Sequence, residues 1–274
     1  MKKFVICVLV LTFLVGAIGV VGTAAPAYKI GLVTGTVSQG EDEYRAAEKM
    51  KGKYGDMIKH VTYPDNFMQE QETTIAQITG LAADKDVKAI IVNQAVPGTV
   101  AAIRQVRDLR PDIIFLLGVP HEDPPIVNAT ADLAFETDQE ARGVTIVRLA
   151  KQLGAKKFLH YSFPRHMSME LLAKRRDIMK AECEKLGMEF IFVTAPDPMG
   201  ESGIPGAQQF ILEDVPRQVE KHGKDIALFS TNCGMQEPLI ISALNTGAIF
   251  PEQCCPSPTH GYPAALGLEI TEEL

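Results

Sequence analysis

Tryptophan is absent from this 274-residue chain, and only 7% of its residues are aromatic. Few flat faces are therefore available for stacking a sugar ring or a nucleobase, and Tyr44, Tyr161 and Phe163 are the candidates. A simple hexose is for that reason a poorer expectation than another polar or anionic metabolite. There is no basic excess either: 27 Lys and Arg stand against 34 Asp and Glu, a net charge of −7. The electrostatic footprint of a nucleic-acid or anionic-membrane binder is missing, so no nucleic-acid partner is expected. The five cysteines include no C-x₂-C pair. Cys254 and Cys255 are adjacent, with His260 the one imidazole nearby, so no metal site is expected.

Signature motifs are missing as well. Gly31, Gly35 and Gly40 do not make G-x-G-x-x-G, and no G-x-x-x-x-G-K-[ST] occurs, so neither backbone cradle for nucleotide phosphates is present and no cofactor is expected. The absence of G-x-S-x-G and H-E-x-x-H removes the common exported hydrolase patterns.

The one long apolar run is at the start. Lys2 and Lys3 precede an apolar stretch from Phe4 to Val21, followed by Gly22, Thr23, Ala24, Ala25, Pro26 and Ala27. This is the order of a secretory signal peptide over residues 1–27, with Ala25 and Ala27 at the small-residue positions and a mature start at Tyr28. A single membrane anchor is the alternative that the length of the run permits. Cleavage gives an extracytoplasmic protein, periplasmic in a cell with two membranes, without a remaining span. An oxidising compartment allows a disulfide between Cys233 and either Cys254 or Cys255. Cys7 reads as a small apolar residue of the run.

From Tyr28 onward, apolar strands alternate with amphipathic helical stretches. Lys29–Thr34, Ile58–Tyr63, Lys88–Asn93 and Ile113–Gly118 have strand length and little polar alternation, the mark of strands buried on both faces. Between them, Tyr44, Ala47, Met50 and Tyr54, then Thr74, Ile75, Ile78 and Leu81, then Val100, Ile103 and Val106, recur at helical spacing. Pro124 and Pro125 open a segment read as extended from Ile126 to Phe135. Asp138 then caps a helix that ends at Gly154. The alternation restarts with Lys157–Tyr161, a helix from Met169 to Gly187, Glu189–Thr194, a proline-broken helical region, Ile226–Ser230, and a helix opened by Pro238. The expectation is an α/β protein of two doubly wound parallel-sheet lobes, residues 28–124 and 141–274, with a crossing segment at 125–140.

This arrangement resembles the type I periplasmic binding proteins. The resemblance is carried by Tyr28–Gly35, by Glu72–Ile78 with Val87–Val92, and by Asp138 and Gly143 before Leu149–Gly154. Phe163–Ser168, Pro196–Pro198 and Cys254–Pro258 set the chain apart from the sugar-binding members, as an uncharacterised bacterial branch. The resemblance implies capture of a small polar solute between the lobes, with an ABC transporter permease or a membrane sensor as the reader of the closed form. Members of that superfamily cross between lobes three times. One crossing is evident here, which implies a second lobe that is incomplete, through either a shortened chain or a reduced hinge.

Parallel sheets bind ligands outside the carboxyl ends of their strands. That position nominates Thr34, Thr36, Ser38 and Gln39 after the first strand, Asn93 and Gln94 after the third, and His121 after the fourth. In the second lobe it nominates Ser162, Arg165, His166, Asp197, Thr231, Asn232 and Gln236. Arg165 offers a planar fork for a carboxylate, a phosphate or paired hydroxyls; the structural alternative pairs it with an acid such as Glu170. Lys174, Arg175 and Arg176 lie among acidic residues and read as a solvated helix face. A receptor is the preferred function. An exported enzyme with Cys233, Cys254 or Cys255 as nucleophile and His166 or His260 as base is one alternative, and an effector-binding domain like those of bacterial repressors is another.

Overall fold

The computed structural model describes residues 28–255 and 260–269. The proposed leader, and most of the Cys254–Pro258 peptide, lie outside them. Among the described residues no helix is long and apolar enough to cross a membrane.

The first lobe runs β1 (Lys29–Thr34), α1 (Val37–Tyr54), β2 (Ile58–Thr62), α2 (Gln71–Ala82), β3 (Val87–Asn93), α3 (Thr99–Leu109), β4 (Ile114–Gly118), α4 (Pro124–Thr130) and β5 (Leu133–Phe135). Its five strands are all parallel, in the order β2-β1-β3-β4-β5. Ile90, Val92, Phe115 and Leu117 are fully buried with Ile78 and Ile103. Each such side chain removed from water contributes roughly 1.5–3 kcal/mol.

The second lobe contains α5 (Gln139–Gln152), β6 (Lys157–Ser162), the single turn α6 (Pro164–Met167), α7 (Glu170–Lys185), β7 (Glu189–Thr194), α8 (Gly203–His222), β8 (Ile226–Ser230) and α9 (Gln236–Thr246). Its parallel sheet has the order β7-β6-β8, and Ile249 extends it by one bridge to Ala227. Strand alternation puts Leu159, Tyr161 and Leu228 against α8 and α9, while Phe158, Ala227 and Phe229 face α5 and α7. Both faces of this sheet are therefore core, which is why its strands show continuous apolar runs. A short helix, α10 (Tyr262–Leu266), packs back on α9.

Two local expectations change. Residues 126–130 are helical, because Pro124 and Pro125 occupy the first turn of α4, where a missing N–H is harmless. Leu133–Phe135 then joins the first sheet through β4, so the chain crosses between the lobes at residues 136–138, a shorter passage than the 125–140 segment expected. The proline-broken region is one 20-residue helix that continues through Pro216. Burial of Ala207, Ile211, Val215 and Val219 offsets the roughly 3 kcal/mol cost of an interior proline.

Candidate functional site

The carboxyl ends of both sheets face one cleft of about 330 Å³, in the range of small-ligand pockets. The first lobe supplies Gln39 and Glu43 from α1, Phe67 and Met68, Gln94, and the turn Val119–Pro124 after β4. The passage between lobes adds Glu136, Thr137 and Gln139, and the second lobe adds Arg165, His166, Arg175, Met199 and Thr231–Cys233. Cys254 and Cys255 close the wall.

Val119 has φ 47°, the one non-glycine residue with positive φ among the described residues. A β-branched residue there is strained, and such strain persists only where the surroundings enforce it. Its N–H donates to the Phe135 carbonyl at 2.9 Å, and the His121 N–H donates to the Ala95 carbonyl at 2.9 Å, fixing the turn that carries His121 and Glu122. Gly98 precedes α3 at φ 98°, where a Cβ would also press on the Gln71 carbonyl.

Seven of the nominated residues line the cleft: Gln39, Gln94, His121, Arg165, His166, Thr231 and Asn232. Gln39 Nε2 donates to the Asp65 carbonyl at 2.9 Å and reaches Met199 Sδ at 3.9 Å, a contact between lobes. Gln94 Nε2 donates to Glu43 Oε1 at 3.1 Å. His166 is buried, its Nδ1 3.1 Å from Thr231 Oγ1 and its ring beside Phe163. Burial, then the Arg165 charge, lowers the pKa of His121 to about 4 and holds that of His166 well below the ordinary value.

The other seven do not line it. Thr34 is buried in the sheet, donating to the Gly35 carbonyl and meeting His60 Nε2, each at 2.8 Å. Thr36 caps α1 and donates to Asp65. Ser38 is exposed on a second, shallower depression beside His260. Asn93 lies over Gly118, where its Oδ1 leaves no room for a Cβ. Ser162 is buried behind the wall, 2.7 Å from Thr231 Oγ1. Gln236 is fully buried; its Nε2 donates to Ser230 Oγ and the Asn232 carbonyl, and its Oε1 accepts from the Cys254 N–H. Asp197 acts through Arg165, accepting from Nε and Nη2 at 2.8 Å each, so Glu170 is not the partner of Arg165. Position after a strand locates a loop, yet short polar side chains there satisfy the loop's own backbone first.

The sequence reading missed Glu43, Glu136, Gln139 and above all Arg175. Arg175 is completely buried, not solvated. Its Nη1 donates to Gln139 Oε1 at 2.6 Å, Nη2 meets Cys254 Sγ at 3.8 Å, the guanidinium lies over Phe229, and Nε has no partner. Helical spacing held the signal: residue 175 is three past Leu172 and four before Met179, on the apolar face of α7. Cys233 Sγ lies 2.6 Å from Cys255 Sγ, and both belong to the cleft wall. No cluster of His, Cys, Asp or Glu able to hold a metal occurs among the described residues.

Two parallel α/β lobes meeting at a cleft beyond their strand ends define the type I periplasmic-binding-protein fold, shared by solute receptors and by operon repressors. The chain belongs to the family described as "Protein of unknown function (DUF3798)", whose model matches residues 28–274. An uncharacterised protein of Treponema pallidum (strain Nichols) is 37% identical over 180 residues, 63% of this chain and 81% of that one. A crystal structure of a putative transcriptional regulator from Clostridium difficile 630 superposes with TM-score 0.67 at 32% identity, covering 90% of this chain and 72% of that one. An ABC transporter solute-binding protein from Conexibacter woesei superposes with TM-score 0.56 at 14% identity, covering 81% and 69% respectively.

Proposed function

We propose that this protein is an exported, extracytoplasmic receptor that captures a small polar solute between its lobes and presents the closed form to an ABC permease or a membrane sensor. The observation that carries this reading is the cleft itself. Both lobes contribute side chains to one cavity, while the chain passes between them at residues 136–138. A ligand touching both walls binds the closed arrangement better than the open one, and that difference drives closure.

Two of the three candidate thiols argue against nucleophilic catalysis. Neighbouring thiols and burial hold the pKa values of Cys254 and Cys255 well above the ordinary value, so little thiolate is available near neutrality. His166 has its Nδ1 beside Thr231 and no cysteine partner among the described residues. The Clostridium difficile structure's designation as a putative regulator favours an effector-binding domain as the second reading.

Native mass spectrometry of protein purified gently from its own cell, followed by thermal shift with the released molecule, tests the proposal. A small molecule that returns unaltered and raises the melting temperature supports it; at about 100 times its Kd the gain is roughly 2.7 kcal/mol. Chemical conversion of that molecule sinks the receptor reading. An N-terminus near Tyr28 supports export, and an intact, cytoplasmic Met1 form favours the regulator.

A further inference from the structure

Among the lining charges that are buried or half-buried, the carboxylates and the unpaired guanidinium are divided between the walls; Asp123 and, on the second-lobe side, Glu170 also line the cleft but are exposed. The first lobe and the passage present three half-buried carboxylates, Glu43, Glu122 and Glu136, and none forms an ion pair among the described residues. Glu43 Oε1 accepts from Gln94, Glu122 Oε2 accepts from the Val100 N–H, and Glu136 Oε1 accepts from Thr137 and Gln139. All of these Glu136 bonds are to Oε1; its Oε2 has none among the described residues. The opposite wall presents the buried Arg175, which has no carboxylate partner among the described residues.

Arg165 provides an internal comparison. Its side-on fork of Nε and Nη2 is filled by Asp197. The same fork of Arg175 holds an unpartnered Nε and a thiol sulfur. A buried guanidinium without a counter-anion is costly, and its planar fork matches a carboxylate. Glu136 and Arg175 are also linked through one side chain: Gln139 donates to Glu136 at 2.9 Å and accepts from Arg175 at 2.6 Å. An anionic and a cationic subsite are thus separated by a single amide group. Phe67, Met68 and Met199 supply an apolar surface beside them.

We propose that the cleft takes a small zwitterion, with an ammonium and a carboxylate a few bonds apart as in an α-amino acid, the ammonium facing Glu136 and Glu43 and the carboxylate completing Arg175. This rests on the receptor reading above. Such a ligand joins the two walls by charge and favours the closed state on both sides at once.

The test screens the full-length protein by thermal shift and calorimetry against three probe sets at millimolar concentration: the standard amino acids, their N-acetyl and carboxamide derivatives, and neutral sugars and polyols. At least one amino acid is expected to raise the melting temperature while its two derivatives do not. Glu136→Gln, close in shape to the native residue, and Arg175→Lys are each expected to weaken that amino acid at least about tenfold. Circular dichroism and urea midpoints identify any variant that has failed to fold, and Glu136→Gln then decides alone. Equal binding of a derivative, response to a sugar alone, or a co-purified molecule lacking either charge overturns the zwitterion and leaves a receptor. Silence from all three sets, with nothing released from the native protein, overturns both.

Discussion

Arg165 is held side-on by Asp197, with Nε and Nη2 each 2.8 Å from a carboxylate oxygen, and its guanidinium lies 5.1 Å from the centre of the Phe163 ring. The pair is one-fifth to one-quarter exposed, so water screens it only partly. Asp197 also accepts from the Met199 N–H, which places Met199, the second-lobe partner of Gln39. Asp197→Ala removes all three hydrogen bonds at once. The expected loss is about 1–3 kcal/mol, read as a lower urea midpoint at unchanged slope, together with weaker binding of whatever solute the cleft holds. An unchanged midpoint shows that the pair carries no stability.

Acid sensitivity should be traceable to buried imidazoles. His160 sits between Phe190, Phe192 and Phe229 with neither ring nitrogen bonded, and burial, then Arg175, lowers its pKa to about 3. His121 and His166 are lowered in the same direction. A base kept neutral in the fold takes up its proton when the chain unfolds. Its contribution is therefore complete above the ordinary value near 6.5 and is lost as pH falls toward the folded value. The melting temperature is expected to fall between about pH 6.5 and pH 4, each such His adding up to about 1.4 kcal/mol per pH unit. Asp84 and Asp112, held low by lysine and arginine partners, lose their contribution only at lower pH. His160→Phe should flatten the slope above pH 4. A slope identical to the parent removes His160 from this account.

The adjacent thiols give a redox prediction. Oxidation of Cys233 and Cys255 by diamide removes two hydrogens and closes a loop whose ends are 22 residues apart. The expected stabilisation is roughly 3 kcal/mol, reversed by dithiothreitol and abolished in Cys233→Ser. Intact-mass analysis after blocking free thiols checks the pairing. A bond to Cys254 instead would show that the wall rearranges on oxidation.

Backbone strain at Val119 makes an unusual expectation for a half-buried apolar residue. Val119→Asn should cost less than about 1 kcal/mol, because asparagine tolerates positive φ. Gly98→Ala, by contrast, should cost about 1–3 kcal/mol, since it meets both a φ of 98° and the Gln71 carbonyl. Thermal unfolding of the two variants side by side settles the ranking.

Much of the fold was legible because the strands are buried on both faces and their sequences say so directly: Ile90 to Val92 and Ile226 to Phe229 contain no charged residue. Loops at the strand ends followed from topology alone. What did not follow was the destination of each polar side chain. Thr34, Ser162 and Gln236 satisfy neighbouring groups behind the wall, a choice made by tertiary packing. Arg175 was misread because a run of three basic residues suggests solvent, whereas only its place on the apolar side of α7 reveals burial. Prolines misled in both directions, opening α4 at Pro124 and being carried through α8 at Pro216.

The clamp on the last part of the second lobe has a consequence for synthesis. Arg142, in α5, holds Glu252 through Nε and Nη2 and the carbonyls of Gln253 and Cys254 through Nη2 and Nη1, at 2.7–3.0 Å, and those residues bring Cys254 and Cys255 to the cleft. A wall that begins at Gln39 is thus finished by residues more than two hundred positions later. Contacts of such separation form after local ones. A nascent chain can complete its first sheet at Phe135 and still lack one wall of the cleft, which closes only after Cys254 and Cys255 have been made and Cys254 has docked on Arg142.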